Sequence, residues 1–152
     1  MADHIVQQVL DRIRADLIAA ATSAGERVFV DRVDELSDAH ELPAILISEV
    51  GEGVKALTVS IPTTLLRNVV VRIEPVVTHT TDYGREARKL SAQVEAALLT
   101  APANLGGLAD GRIWLREAKF TADGDGKRLV AARPMLFECR VKTKSNDPCI
   151  PL

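Results

Sequence analysis

The stretch TADGDGKRLV, residues 121–130, places two aspartates and two glycines close together, a composition that could bind a divalent cation. A helix-loop-helix calcium loop needs alternate oxygen ligands, a glycine at its sixth position and a bidentate glutamate at its twelfth. With Asp123 as position one, Arg128 takes the glycine position. With Thr121 as position one, Ala132 stands where the glutamate must be. The stretch therefore predicts a hairpin turn, since Asp-Gly supplies the positive φ angles that tight turns require.

A second group of carboxylates, Asp31, Asp34 and Glu35, lies in the polar stretch before Pro43. Carboxylate oxygens suit a hard divalent cation, so this group is a weak candidate for a cation site. Acidic runs usually form a solvated loop, and that alternative stays open. Zinc is not expected, because no histidine has a second ligand at a spacing that recurs in zinc sites. The three histidines are His4, His40 and His79.

Catalytic signatures are absent from the rest of the sequence. The chain contains no G-x-S-x-G, no P-loop and no G-x-G-x-x-G. Cys139 alternates with Phe137 and Val141 in a predicted strand, so its side chain is expected to fill core rather than act as a nucleophile. We therefore expect a protein that is not an enzyme and that needs no cofactor.

Composition places the chain among single globular domains. Its 152 residues are 47% hydrophobic and 26% charged, enough to bury one core. The formal charge of -2 gives no basic surplus for gripping nucleic acid. Two cysteines are too few for a disulfide framework, and the charged N-terminus is neither a signal peptide nor a membrane span. We expect a protein that stays inside the cell and has no membrane partner.

Two amphipathic helices are predicted, and they should help to position the residues of the functional surface. Apolar residues recur every three or four positions from Ile5 to Ala24, with Asp3 placed to cap the helix and Gly25 to stop it. The same period returns after Asp82 and ends before Pro102, which disfavours helical geometry in the residue preceding it.

Strand patterns fill the remainder of the chain. Val28 and Val30 predict a short strand, residues 44–60 a hairpin around the turn GEG, and LLRNVVVRIEPVV a long third strand. Pro75 in that third strand is expected at an edge or a bulge. RIWLREAKFTA and KRLVAARPMLFECRVKT predict two strands that the acidic turn joins.

The order of elements predicts an α+β fold with a mainly antiparallel sheet, two helices packed on one face and a long C-terminal β-hairpin. Residues 1–144 should form a single domain. Residues 145–152, SNDPCIPL, hold two prolines and are predicted to trail as a flexible C-terminal arm.

This order of elements resembles that of bacteriophage tail terminator proteins, the minor tail protein U and tail-completion group. The similarity runs through HIVQQVLDRIRADL, RVFVDRVDELSDAHELPAILISEV, ARKLSAQVEAAL and LGGLADGRIWLREAKFTADGDGKRLVAARPMLFECRVKT. It covers the chain from about His4 to Lys144, and it consists of patterns of elements and turns rather than a catalytic signature.

The resemblance implies a structural protein of the virion tail, at its head-proximal end, assembled in the host cytoplasm. Such a protein forms a homo-hexameric ring on the major tail tube protein, stops tube polymerisation and offers a surface to the neck or head-completion protein. DNA passes through the ring lumen without specific binding. The residues expected to contact neighbouring copies or partners are Arg32, Asp34, Glu35, Arg67, Arg72, Asp123, Gly124, Asp125 and Gly126.

Two alternatives remain at this point. One is a neck or head-completion connector of the same particle, which would share the coarse fold. The other is a small host domain that binds a ligand or a metal through the acidic loop.

Overall fold

The structure is a computed structural model that describes residues 2–33, 36, 41–78, 82–124 and 129–152. Two α-helices, a short 3-10 helix at Leu105–Gly107 and seven strands are formed in this part of the chain. The helices are α1 (Ile5–Ala19) and α2 (Tyr83–Leu99). The strands are β1 (Val28–Val30), β2 (Ala44–Ala56), β3 (Thr64–Thr78), β4 (Trp114–Ala118), β5 (Thr121–Gly124), β6 (Leu129–Ala132) and β7 (Met135–Lys144).

The strands form one mixed sheet in which β3 is the central strand. β1 runs parallel to β2, and the other pairings are antiparallel. β3 pairs with β2 on one side; on the other it pairs first with β7 and then, from Val76, with β6. β4 lies outside β7, and β5 lies outside β6. The predicted α+β fold with a mainly antiparallel sheet is confirmed.

The core lies between the two helices and one face of the sheet. Alternate residues of β3, Val69, Val71 and Ile73, are buried on that face beside Cys139, Phe137 and Met135 of β7. The helices add the apolar stripes that their periodicity predicted, which include Val9, Ile13, Leu17, Leu90 and Val94. Each fully buried aliphatic side chain of this kind stabilises the fold by about 1.5–3 kcal/mol.

The start of α1 differs from the prediction. His4 is the N-cap, and its Nδ1 accepts a hydrogen bond from the Val6 N–H at 3.2 Å, so Asp3 is not the capping residue. The helix ends at Ala19, and Gly25 (φ 59°) lies in the turn that leads to β1. The imidazole replaces the expected carboxylate because any side-chain acceptor in the cap position can satisfy a free amide of the first turn.

The predicted hairpin over residues 44–60 is wrong. β2 runs as one strand through Gly51 and Gly53, neither of which has positive φ, and it pairs with β3 along its whole length. A register shift between Glu49 and Gly51 marks a β-bulge, which is what the glycines accommodate. The chain reverses in residues 57–63 instead, where the Leu57 N–H donates to the Thr64 carbonyl at 2.8 Å.

Pro75 lies in the central strand and not at a sheet edge. It sits where the partner of β3 changes from β7 to β6, opposite Ile45 of β2. The Ile45 N–H points away from β3, to the Arg27 carbonyl at 2.9 Å, so the Ile45–Pro75 pair exchanges no ladder bonds. The missing amide of Pro75 is tolerated because it faces the break between β6 and β7.

The C-terminal hairpin is confirmed, although both of its arms are interrupted. β4 pairs with β7, and β5 pairs with β6, with the Lys119 N–H donating to the Pro134 carbonyl at 3.0 Å between the two ladders. The acidic turn at residues 125–128 lies outside the described residues. The second arm, formed by β6 and β7, pairs with β3 along its other edge.

Candidate assembly surface

The acidic loop residues are only partly described. Asp34 and Glu35 lie outside the described residues, and Asp31 is exposed with a φ of 53°, which an aspartate adopts more readily than most residues. Within the described ranges, no group of three or more His, Cys, Asp or Glu side chains could hold a metal ion. A cation bound by Asp31, Asp34 and Glu35 stays a prediction.

Arg32 is fixed between two neighbours. Its guanidinium lies 2.9 Å from a carboxylate oxygen of Glu41 and 4.6 Å from the ring centroid of Phe29. An ion pair and a cation–π contact together orient the side chain along the edge of the sheet that carries β1. Its contact with a neighbouring copy remains a prediction.

Arg67 and Arg72 lie on opposite faces of β3. Arg67 lies on the same face of β3 as the core residues Val69 and Val71 and is 8% exposed; its Nε donates to Thr143 Oγ1 at 3.0 Å, and its Nη1 lies 3.1 Å from Glu52 Oε1. Arg72 is exposed on the far face, between Ser48 of β2 and Leu136 of β7. The structure therefore does not bring these two arginines together, and the contact of each with a neighbouring copy stays a prediction.

Asp123 and Gly124 are the last residues of β5, paired with Val130 and Leu129. Asp125 and Gly126 lie outside the described residues. The backbone of the predicted contact group thus sits at the end of the C-terminal hairpin, and its role in contacting a partner stays a prediction.

A more prominent surface was missed by the sequence analysis. The hairpin of β2 and β3 extends beyond the helices, and five large apolar side chains along it are exposed to solvent. We call them the hairpin surface: Val50 (56% exposed), Val54 (51%), Leu57 (43%), Val59 (103%) and Ile61 (95%). Alternation in VKALTVSI was visible, but the mistaken turn at GEG assigned these residues to a strand inside the domain.

The outer edge of β2 is also open along this hairpin. β1 pairs only with Ile45–Ile47, so from Ser48 onward the outer edge of β2 has no strand partner among the described residues. At the opposite side of the sheet, β4 likewise has an outer edge without a strand partner in the described part of the chain. Unpaired strand edges offer backbone donors and acceptors to another chain.

The thiol of Cys139 is unsuited to nucleophilic chemistry. It is 1% exposed in the core, and burial, followed by the negative charge of neighbouring Glu138, raises its pKa from 9.0 to about 12. The thiolate is the reactive form of cysteine, so a thiol with this pKa is inert near neutral pH. Its expected role as a core residue is confirmed.

Two open clefts lie beside the helices. One, of about 410 Å³, is bordered by the Arg12–Asp16 ion pair, Leu98 and Pro102; the other, of about 400 Å³, by Asp82, Arg85, Arg88 and Phe120. Neither lining contains a histidine, serine or cysteine. Neither described helix combines the length and apolar character needed to cross a bilayer.

Comparison with known proteins gives matches among solved structures alone. No protein-family model and no curated protein matches the chain. A chain in the solved structure of the virion of a native gene transfer agent particle is similar over 91% of this chain and 92% of its own length, with 22% identity and a TM-score of 0.49.

Proposed function

We propose that this protein is a structural virion protein that forms a hexameric ring on the end of a phage tail tube. The ring stops tube polymerisation and gives the head a surface to join. The observation that carries the proposal is the hairpin surface, because five exposed apolar side chains beside an open strand edge are typical of a protein that is completed by its neighbours.

The resemblance along the chain supports the same proposal. The helices and strands of this chain follow one another in the order of the tail-terminator pattern, from the N-terminal helix to the final hairpin. The proposed partners are further copies of this chain, the major tail tube protein and a neck or head-completion protein. DNA passes through the lumen without specific binding, in keeping with the formal charge of -2.

Tail morphology in the absence of the protein tests this proposal. Loss of a terminator should give overlong tails, because tube growth no longer stops, whereas loss of a connector should give finished tails that fail to join heads. Electron microscopy of particles from a strain lacking the protein measures both. Tails of normal length would contradict the terminator role and favour the connector.

Purified components provide a second test. Light scattering with purified tail tubes should show that the protein binds at tube ends. When tube subunits are then added, the tubes should not elongate further, because copies of the protein close into a ring at the tip. A saturable rise in thermal stability with one specific small molecule or metal would instead favour a host ligand-binding domain.

A further inference from the structure

The loop that joins β2 to β3, residues 57–63, is held by hydrogen bonds rather than by burial. Within it, Thr63 Oγ1 donates to the Ser60 carbonyl at 2.9 Å. The side chains of Val59 and Ile61 are almost fully exposed, so they contribute little to the order of the loop. A segment with so few buried apolar contacts keeps a single conformation only while its hydrogen bonds are intact.

The C-terminal segment supports this loop from outside. The Thr63 N–H donates to Ser145 Oγ at 3.0 Å, and the Ser145 N–H donates back to the Thr63 carbonyl at 2.8 Å. Beside this pair, Lys144 Nζ donates to Thr64 Oγ1 at 2.9 Å. Three hydrogen bonds therefore fix the end of the loop against the residues that follow β7.

The same segment is also tied to the first turn of α1. The Pro148 carbonyl accepts from the Ile5 N–H at 2.9 Å, and the Cys149 carbonyl accepts from Gln8 Nε2 at 2.6 Å. The Ile5 amide belongs to the first turn, whose N–H groups have no partner inside the helix. The C-terminal segment thus supplies an acceptor that the helix cannot supply for itself.

Between its two ends this segment is stiff. Asp147 pairs with Lys144 in an isolated β-bridge, and its N–H donates to the Lys144 carbonyl at 3.1 Å. Its Oδ1 accepts from the Cys149 N–H at 3.2 Å, and the ring of Pro148 fixes its own φ. A displacement at Cys149 is therefore carried to Ser145 instead of being absorbed by a flexible chain.

We propose that residues 145–149 form a strap that couples the loop at residues 57–63 to the first turn of α1. Releasing either end of the strap lowers the order at the other end, because both ends belong to one stiff segment and such coupling is reciprocal. The loop carries Leu57, Val59 and Ile61 of the hairpin surface, so the strap also sets how rigidly that surface is presented. This consequence for assembly rests on the proposed function, whereas the coupling is a property of the unassembled chain.

Amide hydrogen exchange in the unassembled protein tests the coupling from the helix end. Gln8→Ala removes the bond to the Cys149 carbonyl, together with a bond to the Asp3 carbonyl at 2.7 Å. We expect exchange at the remote Thr63 amide to accelerate about fivefold, which corresponds to the loss of one hydrogen bond of ordinary strength.

Gln7→Ala is the matched control for this substitution. Gln7 is the neighbouring glutamine of α1, and its Nε2 donates to Asp11 Oδ1 at 2.9 Å rather than to the strap. Its removal should leave exchange at Thr63 unchanged. Equal acceleration by Gln7→Ala and Gln8→Ala would overturn the coupling.

A substitution at the loop end tests the reverse direction. Ser145→Ala removes the hydroxyl that accepts from the Thr63 N–H, and exchange at the remote Ile5 amide should rise by a similar factor. Ser60→Ala is the control, since Ser60 Oγ donates to Thr58 Oγ1 within the loop at 3.2 Å, and it should leave Ile5 unchanged. Amides in the ladder between β3 and β7 report opening of the whole domain and should keep wild-type rates in every variant.

The outcomes separate the strap from the proposed function. If each substitution changes exchange at its own end alone, the coupling is overturned, whatever the protein does with tail tubes. If both ends respond, Gln8→Ala should also cap purified tail tubes about threefold less well than Gln7→Ala, because a loosened loop must be ordered on binding. Equal capping by these two variants would overturn the role of the strap in assembly. Failure of the wild-type protein to cap tubes would contradict the proposed function and leave the exchange results standing.

Discussion

Arg67 is a charged residue that serves the interior of the domain. The residue is 8% exposed, and its guanidinium is satisfied by Thr143 on one side and by both carboxylate oxygens of Glu52 on the other, at 3.1 and 3.2 Å. Removing one partner of such a pair leaves a desolvated charge, which costs more than the pair itself contributes.

Substitution of Glu52 should therefore destabilise the folded chain. We expect Glu52→Ala to lower the free energy of unfolding by about 1.5–3 kcal/mol, because the Arg67 charge keeps only Thr143. Chemical denaturation measures the change. Glu49→Ala is the matched control, since Glu49 is exposed and lacks an ion pair in the described structure, and it should change stability by less than about 0.5 kcal/mol. Equal effects of the two substitutions would contradict a role for the pair.

The buried thiol of Cys139 should make the protein sensitive to alkali. In the folded state its pKa is about 12, whereas in the unfolded chain it ionises near 9.0. The neutral thiol thus contributes its full stability below pH 9, and that stability is lost as pH rises toward 12.

The free energy of unfolding should fall by about 1.4 kcal/mol for each pH unit between pH 9 and pH 12 because of this thiol. Denaturation curves of the wild type and of Cys139→Ala, measured at intervals from pH 8 to pH 11, isolate it because every other titrating group is common to both proteins. Parallel pH profiles would show that Cys139 makes no such contribution.

At the scale of elements, the C-terminal segment extends across the start of α1. The Pro148 carbonyl accepts from the Ile5 N–H at 2.9 Å, the Cys149 carbonyl accepts from Gln8 Nε2 at 2.6 Å, and the Leu152 N–H donates to the Lys142 carbonyl at 2.9 Å. The side chains of Ile150 and Leu152 stay exposed, so these contacts are held by hydrogen bonds more than by burial.

Deleting residues 148–152 should loosen the first turn of α1. We expect faster amide exchange at Ile5 and a loss of about 1–2 kcal/mol in the free energy of unfolding, because a helix N-terminus loses an acceptor. The control is the double substitution Ile150→Ser and Leu152→Ser, which keeps the backbone contacts. Exchange at Ile5 that is equally fast in the full chain would support the predicted flexibility of residues 145–152.

Periodicity predicted the helices and the long strands because it reports which face of each element is buried. It could not separate a turn from a bulge at Gly51, since both need a small residue and only the partner strand distinguishes them. The same ambiguity hid the hairpin surface. An alternating strand reads identically whether its apolar side faces its own core or another chain.

For the whole molecule, the exposed charge of Arg72 gives a test of assembly that is independent of folding. Arg72→Glu should weaken ring formation on tail tubes while leaving the free energy of unfolding within about 0.5 kcal/mol, because the side chain lies on the exposed face of β3. Sedimentation with tubes and chemical denaturation measure the two quantities.

Lys89→Glu, on the exposed side of α2, is the control with the same change in charge. Asp34→Lys is predicted to act like Arg72→Glu. Normal capping by both variants would remove Arg72 and Asp34 from the ring contact.

Strand pairing decides which residues of the proposed surface could be recognised from the sequence. Arg72 could be placed on a strand from the sequence, but its exposed face depends on β7, which lies far along the chain. Arg67, five positions earlier in the same strand, could not be recognised as internal because Glu52 and Thr143 reach it only through the sheet.

The late arrival of β7 beside β3 also has a consequence during synthesis on the ribosome. β3 can pair with β2 as soon as both have been translated, but β6 and β7, which cover its other edge, are made near the end of the chain. At ordinary translation rates this Val-rich edge is uncovered for several seconds. We expect Arg67, Arg72 and Glu74 to act there as gatekeepers, interrupting an apolar run that nascent chains could otherwise use to aggregate.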